Sequence, residues 1–249
     1  MDRRAFLKKA AAIGTFAVGA SVLPGCSFGG RKGVSEKGAN SGKIAELPLP
    51  APDTTSDFGI DSAVNMSTID EWLGRDDVVY RDLRMLVDPA DFKAVGGDPL
   101  LSRAIAGFKV VPFPFLATLP LLPIEGIYQG DALYRTAWDE RGNVASAVAC
   151  YEEADRILED LFPKDKAIFL MCGAGGYAAL ARALLVHLGW SEKRLYNIGG
   201  AWEYEGDYSI ESVVRGGGPR GRDLYAFWRL DYATLDFSLL KTTDRKSVV

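Results

Sequence analysis

The stretch Ala167-Ile-Phe-Leu-Met-Cys172-Gly-Ala-Gly-Gly176-Tyr177, continuing Ala-Ala-Leu-Ala-Arg-Ala-Leu-Leu-Val-His187-Leu188, decides how the chain reads. Ala167 to Met171 is an apolar run of the kind that fills a buried parallel strand. Cys172 ends it. Gly173, Gly175 and Gly176 permit a tight turn that side chains would obstruct. A helical pattern starts near Tyr177, and Gly189 is placed to stop it. A thiol therefore sits where a strand becomes a helix. Backbone N–H groups of the loop and first helical turn point toward that position, and the helix dipole there favours negative charge. Such surroundings lower a cysteine's pKa and make its thiolate available.

The rest of the composition narrows the chemistry. The chain has 249 residues with 48% hydrophobic and 25% charged content, enough apolar material for a sizeable core. Its net charge of −4 gives no basis for nucleic-acid binding. The cysteines are Cys26, Cys150 and Cys172, and the single histidine is His187. This set cannot build a cysteine–histidine zinc cage, so no metal site and no cofactor are expected. His187 lies at the far end of the helix that follows Cys172. At about 1.5 Å per residue it is roughly 15–20 Å from the thiol, which argues against a cysteine–histidine pair.

Residues 1–25 read as a signal peptide. Arg3-Arg4-Ala5-Phe6-Leu7-Lys8-Lys9 is basic, Ala10 to Leu23 is apolar and short, and Leu23-Pro24-Gly25-Cys26 follows. The apolar part falls short of the roughly 20 residues a transmembrane helix needs. Arg-Arg-x-Phe-Leu-Lys resembles the twin-arginine export motif. Leu-x-Gly-Cys resembles the lipobox of bacterial lipoproteins, which implies lipidation of Cys26 and attachment to a bacterial membrane in the cell envelope. Removing residues 1–25 takes away a net +3 and leaves −7, so attachment would rest on the lipid rather than on charge. Residues 26–57, rich in Gly, Ser, Pro and Lys, read as a flexible tether.

The domain is expected over 58–205. Ser67 to Gly74 predicts a short helix with a Thr68/Glu71 capping box. Asp77 to Tyr80 predicts a strand, with Asp82 and Arg84 at its end. Phe108 to Val111 predicts another, stopped by Pro112. Phe115 to Asp139 reads as irregular. Asn143 to Phe162 has apolar residues at helical spacing and predicts the clearest helix, with Cys150 as a small buried hydrophobe beside the stripe. Arg194 to Ile198 predicts a further strand, ahead of Gly199-Gly200-Ala201-Trp202. Strands alternating with helices predict an α/β fold with a mainly parallel sheet, the strand ends and Cys172 meeting at one edge.

These pieces in this order resemble the rhodanese-like family. Residues 67–84 resemble its opening helix and a strand ending Asp-x-Arg. Ile105 to Pro112 resembles its second strand segment. Ile168 to Ala178 resembles its active-site strand and loop, and Tyr196 to Trp202 its closing strand. The resemblance implies a central parallel sheet flanked by helices. It also implies transfer of sulfane sulfur through a persulfide on Cys172, with Gly173, Ala174, Gly175, Gly176 and Tyr177 as the substrate loop. The partners would be a sulfur donor and a thiol acceptor. Family loops often carry arginines where this chain has Gly173 and Tyr177, and histidine where it has Ala104. The loop thus offers backbone N–H groups and no cation, which disfavours thiosulfate relative to a persulfide, polysulfide or protein donor. The alternative is a catalytically weak rhodanese-like module that binds a partner protein or small ligand. Asp82 and Arg84 are read as ties between loops near the site rather than as catalysts.

Residues 206–249 form a C-terminal extension packed on or near the domain. Arg215, Arg220 and Arg222 lie in its glycine-rich loop, read as solvated rather than as replacement cations. Its aromatic residues, Tyr225, Phe227, Tyr232 and Phe237 among them, read as core packing.

Overall fold

The structure is a computed structural model that describes residues 46–87, 91–97, 104–120 and 126–243. The residues expected to form a signal peptide, Cys26 and most of the expected tether lie outside the described residues. So does the chain beyond Thr243. Among the described residues, no helix is long and apolar enough to cross a membrane.

The strands are β1 (Val78–Asp82), β2 (Ala104–Ile105), β3 (Lys109–Val110), β4 (Tyr134–Trp138), β5 (Val144–Ala149), β6 (Ala167–Cys172), β7 (Leu195–Gly200), β8 (Ser209–Ile210), β9 (Val213–Val214), β10 (Leu224–Tyr225) and β11 (Asp231–Tyr232). The α-helices are α1 (Phe92–Val95), α2 (Phe113–Leu116), α3 (Ala154–Leu161) and α4 (Gly176–His187). Five strands form one sheet in the order β11-β3-β1-β6-β7, and every pairing in it is parallel. The fold is α/β, as the alternation of strands and helices predicts.

β6 lies inside the sheet and is buried along its whole length. Its side chains alternate between two cores, as the two-residue period of a strand requires. Ile168, Leu170 and Cys172 face a cluster containing Leu158 and Phe162, at the end of α3, and Leu184 and Leu185 of α4. Ala167, Phe169 and Met171 face a second cluster with Ile69, Tyr80, Tyr196, Ile198 and Tyr204. A strand covered on both faces has no polar side to alternate, which explains the unbroken apolar run.

Three expectations are corrected. Residues 143–162 are not one helix. Val144–Ala149 pairs antiparallel with Tyr134–Trp138, and only Ala154–Leu161 is helical. The turn between these strands accounts for the difference. The Asp139 carboxylate accepts from the Arg141 and Asn143 N–H groups, each at 2.8 Å, and Gly142 takes φ 82°. That closes a hairpin, and cross-strand pairing overrides the helical period of the apolar residues. The same pairing gives order to part of 115–139, read as irregular. The helix expected near Ser67 is a 3₁₀ turn, Ile69–Glu71, without a capping box. The Thr68 hydroxyl instead donates to the Ala63 carbonyl at 2.9 Å.

Both ends of the described chain bind the domain. Ahead of residue 58, where a tether was expected, the Pro48 carbonyl accepts from the Tyr196 hydroxyl at 2.6 Å. The Ala51 N–H donates to the buried Asp61 carboxylate at 2.6 Å. Ala63 and Val64 donate to the other oxygen of Asp61, at 2.9 and 2.8 Å. From the C-terminal extension, β11 adds the edge strand beside β3. Tyr225, Phe227 and Tyr232 pack on a small core around Leu86, Val110 and Val213.

Candidate functional site

Cys172 ends β6 with 4% of its surface exposed. Three features of the local chain place it. Apolar neighbours hold β6 in the sheet, so the thiol arrives at the carboxyl edge. Gly175 then reverses the chain with φ 93°, a left-handed conformation that glycine adopts without steric cost. Gly175 is also the N-cap of α4, and its carbonyl takes the first helical hydrogen bond, from the Ala179 N–H at 3.0 Å.

The reversal turns the Gly175 N–H back on the thiol, and it donates to Cys172 Sγ at 3.1 Å. A donor aimed at sulfur favours the negative form, whether thiolate or persulfide. α4 runs away from this point for twelve residues, and its N-terminus adds a favourable dipole.

β7 makes the other wall. Cys172 pairs with Gly200, next to an irregularity in the register. A Cβ on Gly200 would overlap the Gly173 carbonyl, so only glycine permits this approach. Trp202 follows and lies over Gly173. A Cβ on Gly173 would stand 2.7 Å from the indole ring. The Trp202 N–H donates to the Gly173 carbonyl at 3.3 Å, and the side chain is 37% exposed. Gly200 of the closing strand and Gly173 of the loop thus serve close packing of two backbones and an indole.

Tyr177 stacks on Phe113, with ring centroids 5.8 Å apart. Asp82 and Arg84 form a buried ion pair at the end of β1, with Arg84 Nη2 to Asp82 Oδ2 at 2.5 Å and Nε to both oxygens at 3.0 Å. They sit beside the site because β1 pairs with β6, Asp82 opposite Met171. The Leu83 N–H donates to the Met171 carbonyl at 2.8 Å, and the Asp82 carbonyl accepts from Val111 at 2.7 Å. These backbone bonds join the ends of three strands, and the buried pair lies beside them. Arg215 is exposed and spent on Asp223 across the β9–β10 hairpin, at 2.7 Å. Among the described residues, no group of His, Cys, Asp and Glu has the arrangement of a metal site.

Asn197 and Asp61 belong to this neighbourhood and are not singled out by the sequence reading. In the sequence Asn197 reads only as a strand residue. A lone amide between Leu195-Tyr196 and Ile198, in a strand buried throughout, is the signal that it must be hydrogen-bonded internally. Its Nδ2 donates to the Phe58 carbonyl at 2.9 Å and the Gly175 carbonyl at 3.1 Å, while Oδ1 accepts from Gly199 N–H at 3.1 Å.

No protein-family model, curated protein or solved structure matches the chain. The functional reading therefore rests on the site.

Proposed function

We propose that the chain is a rhodanese-like sulfurtransferase, carried on an envelope lipoprotein through Cys26, with Cys172 as the sulfur carrier. The observation that carries this reading is the Gly175 N–H aimed at Sγ at the junction of β6 and α4. The Cys172 thiolate attacks the outer sulfur of a donor persulfide or polysulfide. The new S–S bond forms as the donor's own S–S bond breaks, and the donor leaves as a thiolate. An acceptor thiolate, or cyanide, then attacks the outer sulfur of the Cys172 persulfide and regenerates the Cys172 thiolate. Each step transfers one sulfur atom without net change in electrons. The Gly175 N–H and the start of α4 stabilise the negative charge throughout. A loop of Gly173 to Tyr177 without cationic side chains suits donors that need no anion clamp.

One observation favours a second reading, a binding module: the thiol is nearly sealed, with Trp202 lying over Gly173. Thiocyanate formation from cyanide separates the two. The enzyme reading expects turnover with polysulfide, weaker turnover with thiosulfate, and loss of both in Cys172→Ser. Equal rates in the wild type and Cys172→Ser would leave the binding module.

A further inference from the structure

We infer that Asn197 is a positioning residue for Cys172, acting through Gly175 and the segment at Phe58. The inference rests on the reading of Cys172 as the reactive thiol. The orientation of the carboxamide follows from its surroundings. One end meets the Gly199 N–H, a donor, and the other meets the Phe58 and Gly175 carbonyls, both acceptors. Only oxygen fits the first and only nitrogen the second. Asn197 is 2% exposed, and its bonds to Gly175 and Gly199 are buried, with the one to Phe58 partly so.

The amide reaches the residue that contacts sulfur. Gly175 gives its N–H to Cys172 Sγ and its carbonyl to Asn197. A glycine has access to many conformations, and in a left-handed turn nothing intrinsic to it selects the one that aims its N–H at the thiol. The Asn197 Nδ2 bond, together with the Ala179 N–H on the same carbonyl, fixes that conformation. Ile60 completes the clamp: a Cβ on Gly175 would contact it at 3.4 Å and Asn197 Oδ1 at 3.5 Å. β7, the leading segment and the thiol loop therefore converge on one side chain.

The test is the pH dependence of Cys172 alkylation by iodoacetamide in the full chain, read on the Cys172 peptide by mass spectrometry. Asn197→Ala removes the amide. Asn197→Asp keeps its size but sets carboxylate oxygen against two carbonyls. In both, the midpoint of the rate profile rises by about one pH unit, and the rate at neutral pH falls about tenfold. Ile69→Ala, a destabilising change in the other core, leaves the midpoint in place. Midpoints unchanged in both Asn197 variants overturn the inference, as does an equal shift in Ile69→Ala. A moved midpoint in a protein that forms no persulfide refutes the sulfurtransferase reading and keeps the positioning role.

Discussion

Removing the Arg84 guanidinium while leaving Asp82 would strand a carboxylate in the core, since both side chains are almost fully buried. Arg84→Met should cost about 3–5 kcal/mol in urea unfolding, and adding Asp82→Leu should recover part of that loss. A loss below about 1 kcal/mol for the single change would contradict a structural role for the pair. The two residues were legible as neighbours at a strand end, because their spacing puts them on the same side of an extended chain, and they bond to each other there. Asn197 is hidden as a tie, because two of its three contacts are with backbone atoms far along the chain, at Phe58 and Gly175. Asp61 gathers N–H groups nearer in sequence, from Ala51, Ala63 and Val64, within a segment that carries no periodic pattern. Cys172 and its glycines were legible because strand, turn and helix are contiguous in the sequence.

Among the elements, β6 and α4 follow their sequence patterns closely: the strand covers Ala167–Cys172 and the helix Gly176–His187, with Gly189 at φ 95° just past its end. Both have a single period and flanking glycines. The hairpin of β4 and β5 was hidden, because Val144, Ala147, Val148 and Tyr151 fit a helical stripe as well as a strand. What separates the two is the partner, Tyr134–Trp138, and a turn closed by Asp139. Gly142→Ala tests the hairpin. In a turn at φ 82°, the substitution should destabilise by about 1 kcal/mol in thermal melts, with Glu140→Ala near neutral. Were 143–162 one helix, that cost would be absent. The C-terminal extension was legible as apolar material but not as a sheet edge, because two-residue strands such as β11 carry no periodicity.

At the scale of the whole molecule, the leading segment and the region after β7 both anchor on phenols. Burial pushes Tyr196 up to about 12, with the Asp61 charge adding to it, and its hydroxyl donates to Pro48. Burial also raises Tyr204 to about 12, followed by its hydrogen bond to Asp70 at 2.6 Å. A phenol raised in the fold stabilises it fully below the unfolded value of about 10, and that contribution is lost as pH climbs through 12. Stability from these two residues should therefore decline between about pH 10 and 12. Tyr196→Phe and Tyr204→Phe should each flatten that decline, measured by urea unfolding across the range. An unaltered slope in both would contradict the assignment.

The central claim is that Cys172 carries sulfur. Mass spectrometry of the intact chain after polysulfide treatment, comparing wild type with Cys172→Ser, tests it most directly. The account predicts an adduct of one sulfur atom that maps to Cys172, is removed by an acceptor thiol and is missing in the variant. Failure of Cys172 to take up sulfur while the folded protein also resists alkylation there would contradict it.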